Sequence, residues 1–127
     1  MFISLGVYAF DGWYNWRYDF YEGRALQCVD GKWGYINRLH SVIVPHMFDL
    51  AWNFNDGLAC VGIGEKDDRK YGYIDCNGNI VIPLIYDRPV EFINGIAYVE
   101  KDGRHGTINT EGEEMSKTWR LAWLCQE

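Results

Sequence analysis

The chain has no run of basic side chains, no CxxC pair and no apolar stretch near the length that spans a bilayer. Each absence removes a class of function. Without a Lys/Arg cluster, and with a formal net charge of −6, there is no surface for the counterion release that drives nucleic-acid binding. Neither nucleic acid nor an anionic membrane is therefore expected as a partner. Cys28, Cys60, Cys76 and Cys125 stand 32, 16 and 49 residues apart, which matches no zinc pattern. We expect them to be reduced, buried small hydrophobes. His40, His46 and His105 have no metal-ligand spacing, and no glycine-rich phosphate loop opens a helix, so no metal and no cofactor is expected. Ser4, Ser41 and Ser116 are the only serines and none lies in a nucleophile-elbow motif. No catalytic residue is assigned. The opening residues Met1 to Gly6 lack a basic n-region and are followed by no small-residue cleavage site, so the expectation is a cytoplasmic protein.

What is present points to strands. Of 127 residues, 48% are hydrophobic and 17% aromatic, with fourteen glycines and three prolines. Aromatics favour strands and glycine serves turns, so many short strands joined tightly are expected, and no long helix. The length suits one soluble domain.

Self-similarity then organises the chain. Phe20-x-x-Gly23-x-Ala25 recurs as Phe54-x-x-Gly57-Leu58-Ala59 and Phe92-x-x-Gly95-Ile96-Ala97. Each is followed by a second motif: Lys32-Trp33-Gly34-Tyr35-Ile36-Asn37, Lys70-Tyr71-Gly72-Tyr73-Ile74-Asp75 and Arg104-His105-Gly106-Thr107-Ile108-Asn109. The interval from Phe to the second motif's Gly is 14 residues in copies one and three but 18 in copy two, so copy two carries a four-residue insertion around Gly64 to Arg69. Gly34 to Pro45 and Gly72 to Pro83 are both 11, and Phe48-Asp49 recurs as Tyr86-Asp87. The expected divisions are a partial unit at 11–19, unit one at 20–53, unit two at 54–91, a third, capping unit at 92–117 and a C-terminal cap segment at 118–127. Each unit reads as three strands joined at Asp30-Gly31, Asn77-Gly78 and Asp102-Gly103.

The run Gly31-Lys32-Trp33-Gly34-Tyr35-Ile36, with the Pro, the Tyr/Phe-Asp and the Phe-x-x-Gly-Leu/Ile-Ala pieces, resembles the WG (KWG-type) repeats of bacterial proteins. The resemblance spans roughly residues 11 to 114, and only Trp33 keeps the Trp, with Tyr71 and His105 in its place. It implies stacked β-hairpins and carries no catalytic residues over. The fold expected is thus all-β, a short antiparallel meander or hairpin repeat array of solenoid type with three imperfect units. The alternative is a small closed barrel or propeller-like ring completed by the N-terminal segment.

Strict alternation along each strand would gather Ala25, Gly34, Ile36, Ile43 and Pro45 on one face. The equivalents are Ala59, Gly72, Ile74, Val81 and Pro83, then Ala97, Gly106, Ile108, Met115 and Lys117. That shared face is the expected core. The opposite face passes from Trp33, Tyr35, Val42 and Val44 through Tyr71, Tyr73, Ile80 and Ile82 to His105, Thr107, Glu114 and Ser116, as a terminal cap would.

Binding candidates are the residues that the repeat leaves over. Trp13, Trp16 and Tyr21 are surplus aromatics, matching Met47, Leu50 and Asn55 in the next copy, and aromatics at a repeat edge can anchor a protein or stack on sugars. Glu65, Asp67 and Asp68 sit in the insertion, a long solvated tip suited to contact. The function expected is a non-catalytic binding module with a protein partner, such as a small acidic inhibitor, immunity or anti-defence protein. Glycan or cell-wall binding, and an uncharacterised enzyme, are the competing readings.

Overall fold

In this computed structural model residues 18–115 are described, and they form ten strands and no helix. Strands β1 (Phe20–Tyr21), β2 (Arg24–Val29), β3 (Lys32–Ile36) and β4 (Val42–Phe48) make one antiparallel sheet in chain order. β5 (Leu50–Ala51), β6 (Ala59–Ile63), β7 (Lys70–Ile74) and β8 (Ile80–Tyr86) make a second. β9 (Ile96–Lys101) and β10 (Arg104–Asn109) pair as a third. Among the described residues the three sheets are separate and no barrel closes, so the repeat array stands; the N-terminal segment expected to complete a ring lies almost wholly outside the described residues.

Turn chemistry sets the strand ends. Asp30-Gly31 and Asp102-Gly103 hold φ of 52° and 79°, then 52° and 80°, the left-handed pair that a two-residue hairpin requires. The Phe-x-x-Gly motif is a further turn of this kind: Glu22-Gly23, Asp56-Gly57 and Asn94-Gly95 all repeat these angles. Sequence reading found the motif without recognising the turn. The turn after the second motif is different. Asp75 Oδ1 accepts from the amides of Asn77 and Asn79, both at 2.9 Å, and Asn37 and Asn109 do the same two and four residues on. The side chain here imitates a backbone turn. A two-residue hairpin at Asn77-Gly78, repeated at Glu111-Gly112, would set Asn109 opposite Glu114; the side-chain turn sets Ile108 there instead.

The motif glycine is explained by the third strand of each meander. Trp33 pairs with Phe48 and Tyr35 with Val44, so three residues of β4 stand opposite Gly34 alone. The bulged β4 backbone folds over it. A Cβ on Gly34 would lie 2.9 Å from the His46 amide nitrogen and closer still to the Val44 carbonyl, and one on Gly72 would lie 2.7 Å from the Pro83 carbonyl carbon. The bulge also reverses the faces. Val44 and Ile82 are fully buried, Pro45 and Pro83 are exposed, and Val81 and Met115 are exposed as well. Alternation had placed Ile43, Pro45, Val81, Pro83 and Met115 in the core; Ile43 is half-buried against the first cluster, Pro45, Val81 and Pro83 are turned out because a bulged strand does not alternate, and Met115 lies beyond the last strand. Lys117 lies outside the described residues.

The two faces turn out to be halves of one joint. Tyr35, Val44 and Phe48 of the first sheet pack with Phe54, Ala59, Val61 and Ile74 of the second unit. Cys60, Tyr73, Ile82 and Tyr86 pack in the same way with Phe92, Ala97, Val99 and Ile108 of the third. Each large side chain so buried contributes about 1.5–3 kcal/mol, so these joints hold the array together. Tyr35 and Val44, and Tyr73 and Ile82, of the graded face are therefore interior in the first two units, while Val42 and Ile80 at its turn end stay exposed. A tyrosine hydroxyl bond lies beside each joint. The Tyr35 hydroxyl donates to the Trp52 carbonyl at 2.7 Å and its ring meets Phe54 edge-on at 4.9 Å, while Tyr73 bonds Val90 and meets Phe92 in the same geometry. The third unit has Thr107 at that position.

Candidate functional site

The side chains that could carry chemistry are largely engaged in structure. Burial raises the Tyr35 and Tyr73 phenols well above their usual range, which keeps both protonated as donors. The Cys60 thiol is pushed up to about 12 by burial, so it is not a nucleophile at neutral pH. Cys28 and Cys76 are exposed, against the expectation that every thiol is buried; Cys125 lies outside the described residues. Both exposed thiols sit at strand ends or turns, where the repeat imposes no packing.

Asp49 and Asp87 clip one unit to the next. Asp49 accepts from Lys32 Nζ and from the Gly64 amide at 2.7 Å. Asp87 accepts from Lys70 Nζ at 2.6 Å and from the Gly103 amide at 3.1 Å. The lysine of each second motif thus reaches the Asp of its own unit, and that Asp holds the first hairpin turn of the unit that follows. The lysine contacts hold both carboxyls below the usual range, with the amides adding to the effect. Exposed ion pairs of this kind add little stability, so their contribution is chiefly positional.

The N-terminal sheet presents a polar variant of the shared face. Gln27 stands where the later units have the buried Val61 and Val99, and His46 stands where unit two has Leu84. His46 Nε2 donates to Gln27 Oε1 at 2.7 Å, and Gln27 Nε2 donates to the Tyr18 hydroxyl at 3.2 Å. Tyr18 and Phe20 flank the His40 ring, and the Arg38 guanidinium lies 4.9 Å from the Phe20 centroid. The sequence signal was available: polar residues at positions that are apolar in the other two copies. A shallow cleft between Trp52, Asn55, Tyr73 and Phe92 has room for about one water, 20 Å³. Among the described residues no group of three His, Cys, Asp or Glu could hold a metal.

Of the residues singled out from sequence, Tyr21 is 44% exposed in β1. Glu65, Asp67 and Asp68 are all exposed in the β6–β7 loop, which Arg69 ties by donating to the Gly64 carbonyl at 3.1 Å. The structure does not bring Tyr21 and the acidic loop together, because they lie at opposite ends of the strands. Trp13 and Trp16 lie outside the described residues. Antiparallel topology gives the array two long edges. One carries the β2–β3, β6–β7 and β9–β10 hairpin ends. The other carries the Phe-x-x-Gly turns and the Asn/Asp turns, joined across units by Arg24 Nε to the Cys76 carbonyl at 2.8 Å and by the Gly57 amide to Glu22 Oε1 at 2.9 Å.

A molecule assembled in this way is a β-repeat array with like joints between successive units. The model for the family described as WG containing repeat matches residues 33–66 and 71–104, more than half of the chain. The chain belongs to the WG-repeat family. No curated protein and no solved structure matches it. Among the described residues no helix is long and apolar enough to cross a membrane.

Proposed function

We propose that this chain is a non-catalytic protein-binding module. One observation carries the reading: the recurring polar positions are spent on turns and joints, while the exposed edge positions change identity from unit to unit. Position 39 is Leu, and its equivalents are Asn77 and Glu111; Tyr21 corresponds to Asn55 and Ile93. Leu39 is 85% exposed and Ile93 70%. A constant scaffold with variable, partly apolar edges suits recognition of a macromolecular surface. The narrower form is a cytoplasmic bacterial inhibitor, of the immunity or anti-defence kind, that meets a basic partner; the net charge of −6 supports it.

The test is affinity capture from the native cell with the wild-type chain and with a variant carrying Tyr21→Ser, Leu39→Ser and Ile93→Ser. A protein retained by the first and lost from the second is the expected result. Repeated capture of nothing by either would count against the reading.

A further inference from the structure

The two edges differ in charge. Around the hairpin ends, Asp30, Glu65, Asp67, Asp68 and Asp102 face six cations, and with the clip carboxylates of Asp49 and Asp87 that edge carries one negative charge net. The turn edge is unlike it. Over residues 21–24, 37–42, 55–58, 75–80, 93–96 and 109–114 there are six carboxylates and two arginines, four negative charges net. Both arginines are engaged: Arg24 with the Cys76 and Gly23 carbonyls, Arg38 over the Phe20 ring. Most of the chain's excess of six negative charges thus lies along one edge.

The same edge holds exposed apolar side chains. Leu39 and Ile93 are joined by Val42 and Ile80, at 52% and 58% exposure, and by Tyr21. Single exposed apolar residues are ordinary. Here Tyr21 and Ile80 lie at turns that the bond between Arg24 and Cys76 holds side by side, Gly57 and Glu22 link the next turn to the first, and Asn55 Nδ2, donating to the Phe92 carbonyl at 3.2 Å, brings the turn of Ile93 beside that of Asp56. The carboxylates of Asp56, Glu111 and Glu114 enter none of the turn or clip bonds described above. A row of apolar anchors along an edge with a net excess of negative charge complements a surface that is apolar and positively charged.

We propose that the turn edge docks a basic amphipathic segment of a partner protein, with Lys/Arg side chains meeting Asp56, Glu111 and Glu114 and apolar side chains meeting Leu39, Val42, Ile80 and Ile93. This rests on the protein-binding reading above and assigns it an edge and a partner chemistry. The negative edge rejects nucleic acid and anionic lipid by like-charge repulsion. It also moves the binding surface away from the Glu65–Asp68 loop.

Site-specific photocrosslinking in the native cell tests the assignment, with p-benzoylphenylalanine replacing Leu39 or Ile93 on the turn edge and Lys66 on the other. The expected result is a crosslink from positions 39 and 93 to one protein, through a peptide rich in Lys and Arg. That peptide, synthesised and titrated, should bind the wild-type chain and lose at least tenfold in affinity to a Glu111→Lys, Glu114→Lys variant. Raising the salt should weaken it further. Crosslinks from position 66 alone would overturn the edge while leaving the protein-binding reading in place. Crosslinks from 39 and 93 to an acidic or uncharged segment would overturn the partner chemistry. Crosslinks from none of the three positions would overturn both readings.

Discussion

At the glycine of each Lys/Arg-x-Gly motif in the first two units, one hydrogen atom in place of a methyl decides whether the third strand can cross. Gly34 and Gly72 have ordinary backbone angles, so their requirement is room: β4 and β8 run directly over them. Gly72→Ala should force the Ile82–Pro83 backbone away and destabilise the fold by about 3 kcal/mol, the upper range for overpacking, with denaturant titration as the readout. Tyr35→Phe keeps the ring against Phe54 and removes only the hydroxyl, leaving the Trp52 carbonyl unpaired. It should cost about 1 kcal/mol, and the same change at Tyr73, whose hydroxyl bonds Val90 and also meets the Cys60 thiol, should cost at least as much. A much smaller loss at both sites would show that water replaces the phenol. Gly34 and Gly72 were legible from the sequence as positions of the shared face, and Ala25, Ile36, Ala59 and Ile74 were legible as core. Val44 and Ile82 were not, because a bulge shifts parity without marking the residues that shift.

Among the elements, the hairpins were the most readable, since Asp-Gly turns and the second motif announce their ends. The Phe-x-x-Gly turn was missed although Asp56-Gly57 and Asn94-Gly95 are strong two-residue signals; in unit one Glu22 occupies that left-handed position and hides the pattern. The inserted loop shows how far an element can vary. Gly64–Arg69 connects β6 and β7 with six residues where the other units use Asp-Gly, and the loop contributes one backbone amide to Asp49. Replacing those six residues by Asp-Gly should preserve the fold, because Gly103 already makes the equivalent bond to Asp87 from a two-residue turn. Thermal melting should show a midpoint no lower than wild type. A collapse in stability would mean that the loop supports the joint. The candidate residues Glu65, Asp67 and Asp68 were thus placed correctly on an exposed loop, whereas the charge of the other edge escaped notice because it is spread over six turns far apart in sequence.

For the whole molecule, acid is the informative stress. Asp49, Asp75 and Asp87 all hold their carboxyls below the ordinary aspartate range through lysine contacts or backbone amides. A carboxyl lowered by folding stabilises above its unfolded pKa and loses that contribution as pH falls through the folded one. The melting temperature should therefore stay level from neutral pH to about 5 and drop below about 4. An Asp49→Asn, Asp87→Asn variant should show a shallower drop, measured by circular dichroism across that range. That the two faces meet was beyond sequence reading, because each looks like a complete sheet surface and only three-dimensional packing shows that one seats on the other. The joint between units one and two is built like the joint between units two and three: a Tyr hydroxyl to a carbonyl, an Asp clip, and an Ala-x-Val strand under an aromatic pair. A duplicated middle unit would find matching partners at both of its ends. Recombination at the Phe-x-x-Gly boundaries can thus lengthen this protein like a tape measure, adding reading edge in fixed increments without redesigning any seam.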